Sequence, residues 1–379
     1  LIEATWGKNR DMSHPDLAGA FLTINLDAIA RNYALLRKRA PHAITAGVVK
    51  ANAYGLGIEY VAPALFKAGC RVFFVATPDE GLQLRSLLPD AEINILNGAP
   101  VGHEGLFRDQ RLIPVLNSLE AINSWRRFCI SKNTVLPAVL HIDTGMARLG
   151  LPQNELEMVT SDINLLTGFE LRAVMSHLAC AGDADHPLNE QQFQLFCTAI
   201  KQLPKSKASF ASSSGIFLGS KYHFDLIRPG ASLYGLCPLT NISNPMTQVV
   251  RLQGKILQIR DVDTPQSVGY GATHRVAGPR RIATVAAGYA DGILRSLSNR
   301  GSGYLNGVKT PIVGRVSMDL ITFDVTDIPH EMAHTGAMID LIGPDNPLDQ
   351  IADSAGTIGY ELLTSLGARY HRTYVRTSE

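Results

Sequence analysis

Short apolar runs recur through the first two thirds of the chain. After one at residues 21–26, they fall near 46–50, 72–76, 93–97, 113–117, 139–143, 172–177, 207–211 and 225–228. Amphipathic stretches such as 62–67 and 190–203 lie between most of them. Strand–helix alternation at this spacing predicts parallel βαβ units. Leaving out the first run, the count is eight, which favours a (β/α)8 TIM barrel over a doubly wound sheet. The interval between the last two runs is too short for a full helix and offers only residues 214–220. After about Asn244 the texture changes. Short β-like runs near 249–262, 281–285, 310–313, 320–325 and 338–342 are split by Gly, Pro and Asp. The pattern predicts three parts: an N-terminal extension (1–20), an α/β barrel (21–245) and a C-terminal β-rich domain (246–379).

Composition narrows the class. A chain of 379 residues with 45% hydrophobic and 18% charged positions can bury a large core in two domains. A net charge of +1 gives no general attraction to nucleic acid or an anionic membrane. No apolar run reaches transmembrane length, and residues 1–20 lack a secretory apolar core. Five scattered cysteines without a Cys-x-x-Cys pair point to a reducing cytoplasm and away from a disulfide framework. No metal site is expected.

The candidate chemistry centres on Lys50. A barrel strand running to residue 50 would present this lysine at its C-terminal mouth, before a loop with Gly55 and Gly57. Lysine is the residue that forms a Schiff base with pyridoxal phosphate. A lysine snorkelling from a strand end would read the same way. The loops after the seventh and eighth runs carry Ser212-Ser213-Ser214-Gly215 and Pro229-Gly230-Ala231-Ser232. Hydroxyls and open backbone amides there suit a phosphate. Two ordinary polar turns remain the alternative.

The wording is more specific than the pattern. Val-Val-Lys50-Ala-Asn-Ala-Tyr54-Gly resembles the cofactor-lysine motif of alanine racemases. His141-Ile-Asp-Thr-Gly-Met-Ala-Arg148-Leu-Gly, Arg228-Pro-Gly-Ala-Ser-Leu-Tyr-Gly, Ala286-Ala-Gly-Tyr289-Ala-Asp-Gly, Gly314-Arg-Val-Ser-Met318-Asp and Thr357-Ile-Gly-Tyr360-Glu follow in that family's order.

The resemblance implies a pyridoxal phosphate enzyme that interconverts L- and D-alanine by two bases and supplies D-alanine for peptidoglycan. Lys50 carries the cofactor and handles the α-proton of D-alanine. Tyr270, in Val-Gly-Tyr-Gly, is the opposite base, donated by the partner in a homodimer with shared active sites. A tyrosine ordinarily titrates near 10 and needs help to act as a base. His177 matches the histidine that bonds it, and Arg228 the arginine that bonds that histidine and the pyridine nitrogen. A guanidinium keeps its proton and so leaves the ring nitrogen unprotonated. This weakens the cofactor as an electron sink and favours racemisation over amino-group transfer. The resemblance also gives Arg148 to the cofactor and the substrate carboxylate. It gives Met318 to that carboxylate, Tyr289 to the substrate, Tyr54 to the cofactor, and Ser214, Gly230, Ala231 and Tyr360 to the phosphate.

The chain departs from the common family pattern at three positions. Leu56 stands where a histidine is frequent, Ser213 where an asparagine precedes the phosphate serine, and His141 where many relatives have a lysine that becomes carbamylated. A broader amino-acid racemase is the near alternative. A pyridoxal phosphate decarboxylase is disfavoured by a missing cysteine motif. A non-catalytic carrier resembles the barrel alone.

Overall fold

The computed structural model describes residues 15–376. Most of the polar extension read over residues 1–20 lies outside them. Leu26–Thr247 form one compact unit, and the described residues on either side form the other.

The first unit is a barrel. Its strands are Ile44–Thr45 continued by Gly47–Val48, then Val72–Val75, Glu92–Ile95, Leu112–Leu116, Pro137–His141, Glu170–Met175, Lys207–Ser209 and Leu226–Ile227. From Gly47–Val48 to Lys207–Ser209 they pair in sequence order, all parallel. Leu226–Ile227 closes the ring. It pairs in parallel with Ile44–Thr45 on one side. On the other, the amides of Asp225 and Arg228 donate to the carbonyls of Ala208 and Ala211 at 3.0 and 2.9 Å. Strands buried on both faces need continuous apolar runs, and Val-Phe-Phe-Val and Leu-Ile-Pro-Val-Leu are buried at every position.

Helices alternate with the strands as the spacing predicted. Their starts are written locally: Thr77 accepts from the Glu80 amide and Ser118 from the Ala121 amide, which satisfies donors a helix start leaves open. Between the last two barrel strands lie the short helix Ser213–Phe217 and a single 3-10 turn, Ser220–Tyr222.

The second unit is built on a mostly antiparallel sheet. Its centre is the 13-residue strand Val250–Val262, which pairs with Ala20–Asn25, Arg280–Val285 and Met338–Ile342. The first apolar run, assigned from sequence to the head of the barrel domain, belongs here. Ala20–Asn25 also pairs in parallel with His371–Val375 near the far end of the chain. Its burial alternates residue by residue, as expected of a strand with one covered face.

Candidate active site

Lys50 lies two residues past the end of the first barrel strand, at the mouth where the parallel strands end. The next four residues run left-handed, with φ of 53, 54, 53 and 56° at Ala51, Asn52, Ala53 and Tyr54. A left-handed turn of non-glycine residues costs about 1–2 kcal/mol per residue. The turn closes with the Gly55 amide on the Ala51 carbonyl at 2.8 Å, and Asn52 Oδ1 accepts from the Ile58 amide at 2.8 Å. Burial holds the Lys50 amine below its ordinary proton affinity, the Arg148 charge adds to this, and Glu80 opposes it.

Arg228 ends the eighth strand and is buried. Its guanidinium donates to the Ser176 carbonyl at 2.5 Å, to Ser209 Oγ, and to the Phe210 carbonyl at 3.4 Å. No carboxylate among the described residues pairs with it, and burial lowers its pKa to about 10. His177 follows the sixth strand. Burial pushes its pKa down to about 3, helped by the charges of Arg228, Arg148, His141 and Lys50. The side-chain amide of Gln192 brackets this turn: Nε2 donates to the His177 carbonyl at 2.9 Å and Oε1 accepts from Ala179 at 2.8 Å.

His141 ends the fifth strand, buried. Asn117 Nδ2 donates to the carbonyls of Leu96 and Val115, which turns Asn117 Oδ1 toward His141 Nδ1 at 2.8 Å. Nδ1 therefore carries the imidazole proton. Burial first, then Arg228 and Arg148, lower the His141 pKa to about 4 against the pull of Asp143. Arg148 is exposed on the loop that follows. Asp143 organises that loop, its carboxylate accepting from the amides of Gly145, Met146 and Ala147 at 2.9–3.2 Å. Burial raises the Asp143 carboxyl, but these amides outweigh it and the net shift is downward. Gly150 is required where the loop returns: its φ is 102°, and a Cβ would lie 2.8 Å from the Asp143 nitrogen.

The two polar turns read as a phosphate site meet in the barrel. Ser213 Oγ accepts from the amides of Gly230 and Ser232 at 3.0 and 3.2 Å. Gly230 therefore offers no open amide here. Its contribution is the missing side chain, because a Cβ would collide with the Tyr54 hydroxyl. Tyr54 packs on Tyr234 with ring centroids 4.6 Å apart, and Tyr234 donates to the Val48 carbonyl at 2.9 Å. The buried Ser232 hydroxyl has no hydrogen-bond partner among the described residues. Ser214 and Ala231 sit beside these groups on the same two turns.

The remaining candidates belong to the C-terminal unit. Tyr270 opens a tight turn between Ser267–Val268 and His274–Arg275 and is 72% exposed. Arg315 lies against the glycines on either side of it. Tyr289 and Met318 are brought together by their backbones: the amides of Tyr289 and Ala290 donate to the carbonyls of Ser317 and Met318, both at 3.0 Å. Arg369 braces both loops, with two bonds to Asp291 at 2.6 and 2.8 Å and one to Asp319 at 2.7 Å. Tyr360 heads the helix Gly359–Ser365, and desolvation raises its phenol.

Sequence reasoning missed Glu80, Asn117, Asp143, Gln192, Ser209, Asp291 and Arg369. Two had signals. Asp143-Thr-Gly is an Asx-turn pattern and Thr77-Pro-Asp-Glu80 a capping box. Gln192 carries none, since a mid-helix glutamine reads as surface.

Two family models match the chain in order: "Alanine racemase, N-terminal domain" over residues 24–238 and "Alanine racemase, C-terminal domain" over residues 249–374. An alanine racemase of Rhodospirillum rubrum is 55% identical over 96% of this chain and 98% of its own length. A catabolic alanine racemase of Agrobacterium fabrum is 48% identical over 95% of this chain and 93% of its own. Among solved structures, the alanine racemase of Bartonella henselae with covalently bound pyridoxal phosphate superposes with a TM-score of 0.92 at 43% identity, covering 94% of this chain and all (100%) of that one. With both family models matched end to end and relatives this similar along nearly their full lengths, the chain belongs to the alanine racemase family.

Proposed function

We propose that this chain interconverts L-alanine and D-alanine with pyridoxal phosphate bound in the barrel mouth. The observation that carries this is the pairing of a desolvated Lys50 amine with a buried Arg228 guanidinium that bonds only neutral oxygens. An amine of lowered proton affinity suits covalent attachment of the cofactor. A guanidinium with no carboxylate partner suits a neutral ring nitrogen as acceptor. The orphaned Ser232 hydroxyl suits the phosphate, and on the same turn the missing side chain of Gly230 makes room for the Tyr54 hydroxyl. The donor set therefore fits the cofactor, with Lys50, Arg228, Tyr54, Ser214, Gly230, Ala231, Ser232 and Tyr360 holding it. Pyridoxal phosphate supplies an aldehyde to which the amino acid attaches and a ring that withdraws electrons from the α-carbon.

The chain's own residues do the rest. Lys50 removes or returns the α-proton on one face, and Tyr270 does so on the other. His177, kept neutral, accepts or donates at the Tyr270 hydroxyl, and Arg228 orients His177. Arg148 and the Met318 amide hold the substrate carboxylate. Tyr289 with Tyr270 and Tyr360 crowds the space beyond the α-carbon and favours a methyl side chain.

The active form in this proposal is a homodimer in which Tyr270 and Met318 of one chain serve Lys50 of another. The 72% exposure of Tyr270 supports it, because a base left in water is poorly placed for proton transfer. The enzyme works in the cytoplasm and supplies D-alanine to peptidoglycan. The five free cysteines suit that compartment. No helix among the described residues is long and apolar enough to cross a membrane.

A chiral assay with added pyridoxal phosphate on L-alanine, L-serine and L-lysine tests the activity. Alanine is expected to turn over fastest, and a clear preference for a longer amino acid would replace this reading with a broader racemase. Mixing Lys50→Ala chains with Tyr270→Phe chains tests sharing. Heterodimers are expected to regain part of the activity, and no recovery after verified exchange would refute it.

A further inference from the structure

Glu80 stands in the first turn of the helix Pro78–Leu87 and does more than cap it. Its Oε2 accepts from the amides of Ala76 and Thr77, at 2.8 and 3.2 Å, at the end of the second barrel strand. Its Oε1 accepts from the amide of Ala51 at 2.5 Å, at the end of the first. Three donors thus converge on one side chain from two sides. Only a carboxylate has acceptors at both ends, because a glutamine would present its NH2 to one set of N–H groups. Ala51 begins the left-handed turn that follows Lys50, a conformation alanine does not hold unaided.

We infer that Glu80 is a positioning residue for Lys50: one carboxylate ties the left-handed turn beside the lysine to the end of the neighbouring strand and so fixes where the amine points. The inference rests on the role proposed for Lys50. The same carboxylate supports the charged amine, while burial and Arg148 press it toward neutrality and the amine's charge reaches His177, just past the sixth strand. Glu80 therefore fixes both the aim of the amine and its readiness to hold a proton.

The test uses the full-length protein before and after loading with pyridoxal phosphate. Glu80→Gln is compared with Thr77→Ala, which removes only the helix cap. Hydrogen-exchange mass spectrometry is expected to show segments 49–56 and 74–80 both quickening by about tenfold or more in Glu80→Gln, with segment 49–56 unchanged in Thr77→Ala. Competitive acetylation of Lys50 against the exposed Lys132, followed across pH, is expected to show Lys50 titrating lower in Glu80→Gln and as in the parent in Thr77→Ala. Ala51→Gly in the Glu80→Gln background is expected to restore protection of 49–56, since glycine adopts the turn freely, without restoring the titration. In the loaded enzyme, kcat is expected to fall about 10- to 100-fold with KM little changed.

Unchanged exchange at 49–56 together with unchanged Lys50 titration in Glu80→Gln overturns the clamp and leaves Glu80 a helix cap. No recovery with Ala51→Gly also overturns it, because the strained turn is then not what Glu80 holds. If borohydride traps the pyridoxyl group on another lysine, the role of Lys50 fails and so does the clamp's part in catalysis. That result is separate from the exchange and titration patterns, which alone decide whether the clamp exists.

Discussion

The barrel mouth and the loop cluster of the C-terminal unit hold their functional side chains in opposite ways. In the barrel, Arg228, His141 and Ser213 are buried; bonds to neutral oxygens set the Arg228 guanidinium, and the Asn117 side chain sets the His141 ring. In the C-terminal unit, Tyr270, Tyr289, Met318 and Tyr360 are 72, 43, 53 and 40% exposed. The loops of Tyr289 and Met318 are braced by an ion triad whose arginine side chain is itself 52% exposed. Burial makes the barrel's electrostatics strong and nearly independent of salt, whereas charges in water are screened within about 10 Å at ordinary ionic strength. The barrel thus holds a prepared electrostatic site, and the C-terminal unit holds adjustable groups.

Lys50→Ala gives the largest expected effect. Racemisation should fall by about 10⁴-fold or more and the borohydride-trapped adduct at residue 50 should vanish. Retained activity would remove the barrel from the chemistry.

Tyr270→Phe comes next. Tyr270 is largely exposed in the chain, so melting should be unchanged while net racemisation falls about 10²–10⁴-fold. Exchange of the α-proton of D-alanine with solvent deuterium should persist and that of L-alanine should collapse. Equal retention of both would make Tyr270 a packing residue and break the comparison.

Arg369→Ala should raise KM about tenfold by freeing the Tyr289 and Met318 loops, with partial rescue by Arg369→Lys. It should also lower the melting temperature, because it strands the buried Asp291 carboxylate. The KM of the parent enzyme should drift toward that of the variant as salt rises, and a salt-independent KM would count against an exposed brace.

The smallest effect is on stability against pH. His141 and His177 are held down to about 4 and 3 in the folded chain, and unfolded histidine titrates near 6.5. Between those values the unfolded chain binds more protons. The stabilisation is complete above about pH 6.5 and is lost as pH falls toward 4. His141→Gln should flatten this slope and shrink the melting-temperature drop between pH 7 and pH 5 by a few degrees. An identical slope would mean that His141 titrates in the folded chain as it does in the unfolded one.

The barrel was legible because its strands are apolar runs and four of them are closed by a chemically marked end: Lys50, His141, His177 and Arg228 all fall within two residues of a strand's last residue. The order of the β strands was legible too, but not their partners. Nothing in residues 21–26 distinguishes a barrel strand from one paired with residues 250–262 and 371–375, since pairing across such distances is decided by the assembled sheet. The supporting residues were the least legible. Glu80 and Gln192 act through backbone groups that a sequence does not display, and Ser213, on a turn read as suited to phosphate, satisfies two amides of its own chain.

The position of Ala20–Asn25 has a consequence for how the protein is made. This strand is synthesised well before its two neighbours, Val250–Val262 and His371–Val375. Synthesis at about 5–20 residues per second leaves it exposed for tens of seconds while the barrel segment, which needs neither neighbour, can assemble. The sheet is completed only when His371–Val375 arrives, so a ribosome stalled before residue 371 would hold Ala20–Asn25 with an open, adhesive edge. Nascent chains halted there should be the ones most in need of a chaperone.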